Sequence, residues 1–444
     1  MSDAILDYRL GWRWLLPVKA GERIVQVGFS GREERFLRHA LPDLNWRDDP
    51  NTADVWVVNA TTSTPDACLK NGQRTVCVLA GRAQGAVWRT MLRARFPVVH
   101  EYGLLPAGYP RVVVPLSIRQ HAVQALSLHR PGRLVARFGV SLARWLARVG
   151  HYFLLRGQVL LIGTHQNKPV PYGAGQAGLE GNQEYALYLG TPDDNRKTVA
   201  LPLGNEAPDL IVKVGASSKA RAALENEALA LQAFSGTPVA RQIPQFYKLA
   251  ASDESLALHQ EYRSRKRVGS LILAKHVVAF LAKLALLDAE CKPLGEVLDN
   301  LPALTQQENI PKVARSSQML LERLGVLAES GLTVWRHRTH GDFAPWNCSW
   351  TDRGLFVYDW EASRAQGLAL EDAFYYVTAP ALLVQRKASA EKVVGRALRL
   401  ANEVARKVGK ELNPRIYLAL WLLARPDKSG LYGEMIVFLA QSWR

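Results

Sequence analysis

Residues 340–361 carry the polar pattern that most restricts what this chain can fold into. His340–Asn347 reads HGDFAPWN, and the apolar run Leu355–Tyr358 is followed at once by Asp359. A short apolar run bounded by polar residues is typical of a strand. The pattern therefore predicts a loop that holds an acid and an amide, followed by a strand that ends in a second acid.

These side chains meet the chemical needs of phosphoryl transfer from ATP. The reaction needs a carboxylate that orients the attacking hydroxyl or accepts its proton, and hard oxygen ligands for the Mg²⁺ that neutralises phosphate charge. Asp342 and Asn347 can lie on one loop, and Asp359 can complete the metal site from the end of the strand. The alternative is a surface loop in which two acids and an amide occur by chance.

The segment resembles the aminoglycoside phosphotransferase and choline kinase family, whose pattern is HGDxxxxN followed by a strand and an Asp. The resemblance implies that Asp342 is the catalytic base, that Asn347 and Asp359 bind Mg²⁺, and that ATP is the donor. It also implies that His340 braces the loop. Asp372, in GLALEDAFYY, matches the family's structural Asp, which supports the catalytic loop. HGDFAPWN looks most like the branch associated with bacterial surface-polysaccharide synthesis.

A lysine and a glutamate upstream have the order expected of such a site. Leu210–Lys213 (LIVK) reads as a strand that ends in a lysine, and Glu227 follows within a helical stretch. Kinases pair such a lysine with such a glutamate, so that the ammonium group holds the nucleotide's phosphates. Glu225 is the competing partner. We prefer Glu227 because the residues that follow it fit the family's helix pattern better.

Two more segments are expected to meet the nucleotide. The loop Gly190–Arg196 (GTPDDNR) joins the first two strands of this part and should cover the phosphates, although it contains a single glycine. Glu261 and Tyr262 end the last strand before the helical part, where a kinase hinge meets adenine through backbone groups. The basic run Arg263–Arg267 is either a solvated loop or a patch for an anionic substrate or a membrane.

The length of the chain predicts more than one domain. Its 444 residues exceed one ordinary core, and 48% apolar with 22% charged residues is the balance of a folded protein. We expect an α/β, Rossmann-like methyltransferase-type domain at 1–167 and a Pro- and Gly-rich linker at 168–181. An α+β, two-lobed protein-kinase-like domain should follow, with its N-lobe at 182–262 and its helical C-lobe at 263–444.

The N-terminal half alternates strands and helices, which predicts a parallel sheet covered on both faces. The turn VGFSG after Arg23–Val27 resembles the glycine-rich turn of S-adenosylmethionine-dependent methyltransferases. Gln26 stands where that family has an acid, and only Gly28 and Gly31 remain of its GxGxG. We therefore favour a degenerate domain that does not methylate, and S-adenosylmethionine is a disfavoured cofactor.

The formal net charge of +16 favours anionic partners. No nucleic-acid recognition motif accompanies it, so nucleic acid is not expected. The start of the chain lacks a secretory pattern, and the apolar stretch His151–Gly163 is too short to span a bilayer. Four scattered cysteines fit a reducing compartment. We expect a cytoplasmic protein, with peripheral contact at the inner face of the membrane through the basic segment before that stretch.

Three functions compete on this sequence. The leading one is an ATP-dependent phosphotransferase that acts on a hydroxyl of a sugar or surface-polysaccharide-type acceptor, in contact with a glycosyltransferase or a membrane. Some enzymes that cap O-antigen chains also join a methyltransferase domain to a kinase domain. The second is a kinase for a small molecule, such as an aminoglycoside or a choline-like alcohol, which the positive charge opposes mildly. The third is a non-catalytic pseudokinase scaffold, which an intact Asp342, Asn347, Asp359 and Lys213 disfavour.

Overall fold

A computed structural model of the chain describes residues 9–19, 21–69, 73–107, 110–128, 134–151, 155, 157–166, 170–179, 183–190, 193–204, 208–253, 255–264, 266, 270–301, 310–385 and 388–443. The chain divides into two compact units. The first unit comprises Met1–Leu224 with Tyr247–Arg263, and the second comprises Glu225–Phe246 with Ser264–Arg444.

The elements alternate between strands and helices over the first part of the chain. In chain order they are a 3₁₀ turn at Gly11–Leu15, β1 Arg23–Val27, α1 Gly31–Ala40, β2 Asn45–Trp46, a 3₁₀ turn at Pro50–Thr52, β3 Val55–Asn59, α2 Pro65–Cys68, β4 Thr75–Gly81, α3 Arg82–Arg95, β5 Val98–Leu105, β6 Val112–Pro115, α4 Arg119–Leu128, α5 Leu134–Arg148, β7 Gln158–Thr164, α6 Tyr172–Gln176, β8 Glu184–Leu189, β9 Thr198–Leu203, β10 Leu210–Gly215, α7 Ser218–Ala233, a 3₁₀ turn at Ala240–Gln242, β11 Phe246–Ala251 and β12 Leu256–Glu261.

Helices dominate the rest of the chain, as the sequence predicts. In chain order the elements are α8 Ser270–Leu284, β13 Glu290–Pro293, α9 Leu294–Asp299, α10 Pro311–Glu329, β14 Thr333–Thr339, β15 Cys348–Thr351, β16 Gly354–Val357, a 3₁₀ turn at Trp360–Ala362, β17 Arg364–Leu368, α11 Glu371–Leu383, α12 Ala390–Val408, α13 Pro414–Leu423 and α14 Gly430–Gln441. None of the helices described is long and apolar enough to cross a membrane.

One continuous sheet organises the first unit, with the strand order β11-β12-β10-β9-β8-β6-β5-β7-β4-β3-β1-β2. The strands β2, β1, β3 and β4 run parallel, as predicted for the N-terminal half. β7 is inserted antiparallel between β4 and β5. β8, β9 and β10 form an antiparallel meander. The pair β6 and β8 joins the parallel part to the meander.

Apolar side chains cover both faces of this sheet. In β3, Val55 and Val57 belong to one buried cluster, and Trp56 and Val58 belong to a second one on the opposite face. The alternation follows from the two-residue period of a strand. Both clusters continue into the meander, where Tyr185 joins the first and its neighbour Ala186 the second. Both clusters therefore span the region that the sequence suggested dividing.

The Pro- and Gly-rich segment 168–181 is packed rather than extended between units. It contains the short helix α6, in which Ala174 is fully buried, as is Ala177 after it. A Cβ atom on Gly173 would lie 2.0 Å from the Trp14 ring, so this glycine permits close contact with the indole. Neither compact unit ends within the described part of 168–181. The small residues of this segment allow close packing and do not mark a boundary between domains.

The second unit packs its helices around a set of aromatic rings. Phe280 of α8 stacks on Phe343 with the ring centroids 5.8 Å apart, and Trp360 packs edge-on against Phe234 at 4.4 Å. All four side chains are almost fully buried. Beside them lie the three-stranded sheet β13-β14-β17 and the hairpin β15-β16. This aromatic cluster places the loop after β14 against the hairpin.

Candidate active site

The loop His340–Asn347 begins where β14 ends, and it leads directly into the hairpin β15-β16. Gly341 has a φ of 79°, which glycine adopts readily, and a Cβ atom there would lie 2.2 Å from the Ala362 carbonyl oxygen. Asp359 follows the hairpin with a φ of 69°. A left-handed conformation is uncommon for a residue with a side chain, and such strain clusters at functional sites.

Asp342 and Asn347 are joined by hydrogen bonds across the loop. The Asn347 amide Nδ2 donates to the Asp342 carboxylate Oδ2 at 3.0 Å and to the Asp342 carbonyl oxygen at 2.9 Å. Asn347 is buried and Asp342 is half-buried. The amide thereby orients the carboxylate, and its own oxygen Oδ1 is turned to the other side of the planar group.

The environment of Asp342 raises the pKa of its carboxyl. Burial raises the pKa of the Asp342 carboxyl above its usual value, and the negative charge of Asp359 raises it as well. Hydrogen bonds from Tyr375 and Asn347 act in the opposite direction and lower it. A carboxylate with a raised pKa is a better proton acceptor than a fully solvated one.

The donor set at this site fits a hard divalent cation. Two carboxylates, Asp342 and Asp359, lie near enough for their charges to interact, and Asn347 adds an amide oxygen. Mg²⁺ prefers such oxygen ligands and is bound by one or two carboxylates together with substrate phosphates. Within the described residues, no cluster of three or more His, Cys, Asp and Glu side chains could enclose a metal by itself.

His340 and Asp372 hold the start of the loop in place. The Asp372 carboxylate accepts hydrogen bonds from the backbone N–H groups of His340 at 2.7 Å and of Gly341 at 3.0 Å. The fully buried His340 ring bonds through Nε2 to the Tyr358 carbonyl oxygen at 2.8 Å, and its Nδ1 accepts from the Asp342 N–H at 3.3 Å. These partners assign one neutral tautomer to His340.

The Asp372 carboxyl is fully enclosed by protein. Burial raises its pKa well above the usual range, and the neighbouring charge of Glu371 adds to that rise. The N–H groups of His340 and Gly341 oppose it, because they stabilise the ionised form. Asp372 therefore acts as a fixed acceptor for the loop backbone and not as a solvent-exposed acid.

The predicted nucleotide residues upstream occupy both units. Lys213 lies on β10 in the first unit and is buried, with 7% of its surface exposed. Glu227 lies on α7 in the second unit and is fully buried, whereas Glu225 is exposed. Burial distinguishes Glu227 from its competitor, since a buried carboxylate requires a partner. The pairing of Lys213 with Glu227 stays a prediction.

Of the two expected hinge residues, Glu261 is the last residue of β12 and Tyr262 follows it. The Tyr262 N–H donates to the Asp209 carbonyl oxygen at 2.6 Å, so this backbone donor is used within the first unit. Glu261 forms a short ion pair with Arg263. Arg263 is therefore a buried, paired member of the basic run, while Arg265 and Arg267 lie outside the described residues.

The predicted phosphate-covering loop is described at Gly190 and from residue 193 onward, since Thr191 and Pro192 lie outside the described residues. Its carboxylate Asp193 accepts from the Asn195 N–H at 2.9 Å and so closes a turn. Ser217, at the start of α7, donates to the Asp194 carbonyl oxygen. Asp193 is thus engaged by the loop's own backbone.

Sequence reasoning missed Tyr375 and Asn226. The Tyr375 hydroxyl hydrogen-bonds to the Asp342 carboxylate. Asn226 donates to the carbonyl oxygens of Glu361 at 2.7 Å and of Ser363 at 3.0 Å, which fixes the segment after Asp359. The sequence contained a signal for Tyr375, because a residue three positions after Asp372 on the same helix lies on the same helix face as Asp372. Asn226 had none, since its partners are distant in sequence.

Comparison with known proteins finds likeness in structure alone, since no protein-family model and no curated protein matches the chain. A thermostable mutant of aminoglycoside phosphotransferase APH(4)-Ia is 13% identical over 55% of this chain and 91% of its own, with a TM-score of 0.37. Aminoglycoside phosphotransferase APH(3'')-Id from Streptomyces rimosus, in complex with ADP and streptomycin, is 16% identical over 56% and 94%, with a TM-score of 0.34. A putative fructosamine-3-kinase from Haemophilus somnus is 14% identical over 60% and 94%, with a TM-score of 0.32.

The substitution Tyr375→Phe tests the electrostatics of Asp342. It removes a hydrogen bond that lowers the pKa of Asp342, so that pKa is expected to rise. Carbon-13 NMR of the aspartate carboxyl carbons measures it, with the Asp342 signal assigned from Asp342→Asn. Tyr376→Phe is the matched control, because the Tyr376 ring packs on Phe343. An unchanged or lowered pKa in Tyr375→Phe would contradict the contact.

Proposed function

We propose that this chain is an ATP-dependent phosphotransferase that moves the γ-phosphoryl group of ATP to a hydroxyl of a sugar or surface-polysaccharide-type acceptor. The observation that supports it most is the hydrogen-bonded pair of Asp342 and Asn347 beside Asp359. A carboxylate and an amide on one braced loop, with a second carboxylate after the hairpin, support the roles of base and metal ligands. Phosphoryl transfer depends mainly on such positioning and on charge neutralisation.

In the proposed mechanism Asp342 orients the acceptor hydroxyl and takes its proton as the oxygen attacks. Its burial and its raised pKa suit that role, because the carboxylate is then a stronger base. Asn347 and Asp359 would hold Mg²⁺, which supplies neutralisation of the phosphate charge. His340 and Asp372 keep the loop in one conformation through the backbone hydrogen bonds that they make.

The proposal assigns the contacts with the nucleotide to residues upstream of the loop. Lys213 would bind the nucleotide phosphates with Glu227 as its carboxylate partner, and the backbone near Glu261 and Tyr262 would meet adenine. Lys213 is buried, and this supports the assignment, because a buried ammonium group needs a negatively charged partner whereas a solvated one does not. A small-molecule kinase is the alternative with the same site, and a pseudokinase scaffold is the alternative without chemistry.

Two substitutions separate chemistry from metal binding. Asp342→Asn is expected to lower phosphate transfer by about 10²–10⁴-fold while ATP still binds, because only the proton acceptor is lost. Asp359→Asn is expected to weaken Mg²⁺-dependent ATP binding itself. Labelled ATP with a panel of glycans and small alcohols measures transfer, and calorimetry measures ATP binding.

Asp299→Asn is the matched control for both substitutions, since Asp299 is exposed at the end of α9. It should leave transfer and ATP binding at the wild-type level. A wild-type protein that neither binds ATP nor transfers phosphate to any member of the panel would refute the proposed function. Transfer to small alcohols alone would favour the small-molecule alternative.

For the N-terminal half we propose a degenerate methyltransferase-like domain that does not methylate. Gly28 keeps a φ of 79° in the turn after β1. The Thr62 hydroxyl donates to the Gly28 carbonyl oxygen at 2.8 Å, and a Cβ atom on Gly28 would lie 2.3 Å from Thr62 Oγ1 and 2.7 Å from Ser63 Oγ. The chain's own side chains thus fill the space where a cofactor would approach the glycine.

Calorimetry with S-adenosylmethionine tests this second proposal. No heat of binding is expected at ligand concentrations up to the millimolar range, because Thr62 and Ser63 occupy the approach to the turn. S-adenosylhomocysteine serves as the second ligand, since methyltransferases also bind their product. Micromolar affinity for either compound would overturn the assignment of a degenerate site.

We propose further that α5 contacts an anionic membrane surface. Leu142 and Trp145 of α5 and Val149 directly after it are exposed at 45%, 57% and 45%, and Leu142 and Trp145 lie on one side of the helix. Arg148, also exposed, lies beside them. An apolar ridge with basic neighbours binds in the interface of a membrane that contains anionic lipids.

Vesicle flotation measures this contact. The protein should float with vesicles of phosphatidylglycerol and phosphatidylcholine, and less with phosphatidylcholine alone. Trp145→Ser should lower the bound fraction several-fold, because it removes the largest exposed apolar side chain of the ridge. Leu229→Ser, at a position 65% exposed on α7, is the control and should have no effect. Equal flotation with both vesicle types, or no effect of Trp145→Ser, would refute the contact.

A further inference from the structure

A second feature of the second unit is a cavity lined by arginines. Its volume is about 340 Å³, and its walls include Arg336, Arg364, Arg425, Glu371 and Trp421. Small-molecule sites in proteins start at about 300 Å³, so the cavity has room for a single sugar unit. Neither the nucleotide residues nor the Mg²⁺ ligands proposed above belong to its lining.

The lining is positively charged, with three arginines against one carboxylate. That carboxylate, Glu371, is already engaged: it pairs with Arg364 at 2.5 Å and accepts from the Leu368 N–H at 3.4 Å. Arg336 donates to the Gln366 carbonyl oxygen. Within the described residues, neither Arg336 nor Arg425 has an ion-pair partner.

Arg425 is held by aromatic rings and not by a carboxylate. Its guanidinium carbon lies 4.3 Å from the centroid of the Trp421 ring and 5.7 Å from that of Tyr375. Stacking on rings fixes the plane of a guanidinium and leaves its N–H groups for a ligand. Trp421 is 2% exposed, and its indole N–H lacks a hydrogen-bond acceptor in the part of the chain described.

One arginine of the cavity shares a neighbour with the proposed catalytic base. The Arg425 guanidinium carbon lies 5.7 Å from the centroid of the Tyr375 ring, and the Tyr375 hydroxyl interacts with the Asp342 carboxyl and lowers its pKa. An acceptor held at the arginines would therefore have its other end directed past Tyr375 toward Asp342.

We propose that this cavity binds an anionic group, a phosphate or a carboxylate, carried by the acceptor sugar. The planar donors of arginine match both groups, which arginine binds through two parallel hydrogen bonds. The inference rests on the proposed phosphotransferase function and specifies its substrate class. In that reaction the bond between the γ-phosphorus and the bridging oxygen of ATP breaks, the acceptor oxygen bonds to phosphorus, its proton passes to Asp342, and ADP leaves.

The same lining excludes cationic acceptors. An aminoglycoside or a choline-like alcohol would bring ammonium groups to Arg336 and Arg425, and like charges at short range repel. The carboxylate that could offset this repulsion, Glu371, is already neutralised by Arg364. The proposal therefore distinguishes an anionic sugar from the small cationic alcohols among the alternatives.

Calorimetry on the full chain, saturated with ADP and Mg²⁺, tests the proposal. The ligands are glucose 6-phosphate, glucuronate, glucose and glucosamine, and the bound ADP prevents the phosphate ligand from occupying a nucleotide site. At least one anionic sugar should bind about tenfold or more tightly than glucose, since hydrogen bonds to charged groups are the strong ones. Glucosamine should bind no better than glucose.

Variants assign the effect to the arginines. Arg425→Met and Arg336→Met should each weaken binding of the anionic sugar by about tenfold and leave glucose unchanged. Arg425→Lys keeps the charge and should retain more of the binding, which separates charge from packing. Arg396→Met, at an exposed position on α12, is the matched control and should bind like the wild type. Thermal unfolding checks that each variant is folded.

The outcomes separate the two proposals. Equal binding of glucose and both anionic sugars, or binding that neither arginine variant weakens, would overturn the anion site even if phosphate transfer is observed. Arginine-dependent binding of an anionic sugar without any transfer would refute the phosphotransferase function and leave the anion site standing. Discrimination between glucose 6-phosphate and glucuronate then identifies which anionic group the cavity accepts.

Discussion

The Asp372 carboxylate is the contact on which the rest of the candidate site depends. It accepts hydrogen bonds from two successive backbone N–H groups, those of His340 and Gly341, at 2.7 and 3.0 Å. The loop can therefore turn away from β14 with its polar backbone groups satisfied inside the protein. His340 extends the support to the Tyr358 carbonyl oxygen, directly before Asp359. Asp372 thus fixes the start of the segment that carries the oxygen donors, and the His340 ring fixes its end.

Electrostatics divide the second unit into two neighbouring regions of opposite character. Around Asp342 and Asp359 carboxylates repel each other and burial raises the pKa of Asp342, a setting in which a cation is favourable. Arg336 and Arg425 line a cavity in which an anion is favourable, and Arg425 contacts the ring of Tyr375. A metal with phosphates at the first region and an anionic sugar at the second would satisfy both.

The N-terminal half belongs to the continuous sheet of the first unit. The strand pair β6 and β8 merges the parallel part with the antiparallel meander, and both buried clusters cross that junction. Separating the halves would expose two sheet edges and the apolar residues behind them. The N-terminal half is therefore a structural part of the unit that carries Lys213, whether or not it binds a ligand of its own.

The sequence alone determined the local features. The pattern from His340 to Asp359 predicted a loop followed by a strand, and β16, Gly354–Val357, nearly coincides with the predicted strand Leu355–Tyr358. Local patterns suffice there, because strand period and loop spacing are set by neighbouring residues. The position of Glu227 on α7 was also readable, and its burial then separated it from Glu225.

Only the tertiary structure decided what depends on residues far apart in the chain. The pairing of β6 with β8 made one sheet of two predicted domains, and glycine at 173 proved to serve packing against Trp14. Tyr375 reached Asp342, and Arg336 and Arg425 came to line one cavity, although the two arginines are 89 positions apart in the sequence. Such contacts are fixed by burial and by charge across packed elements, and no local pattern of residues encodes them.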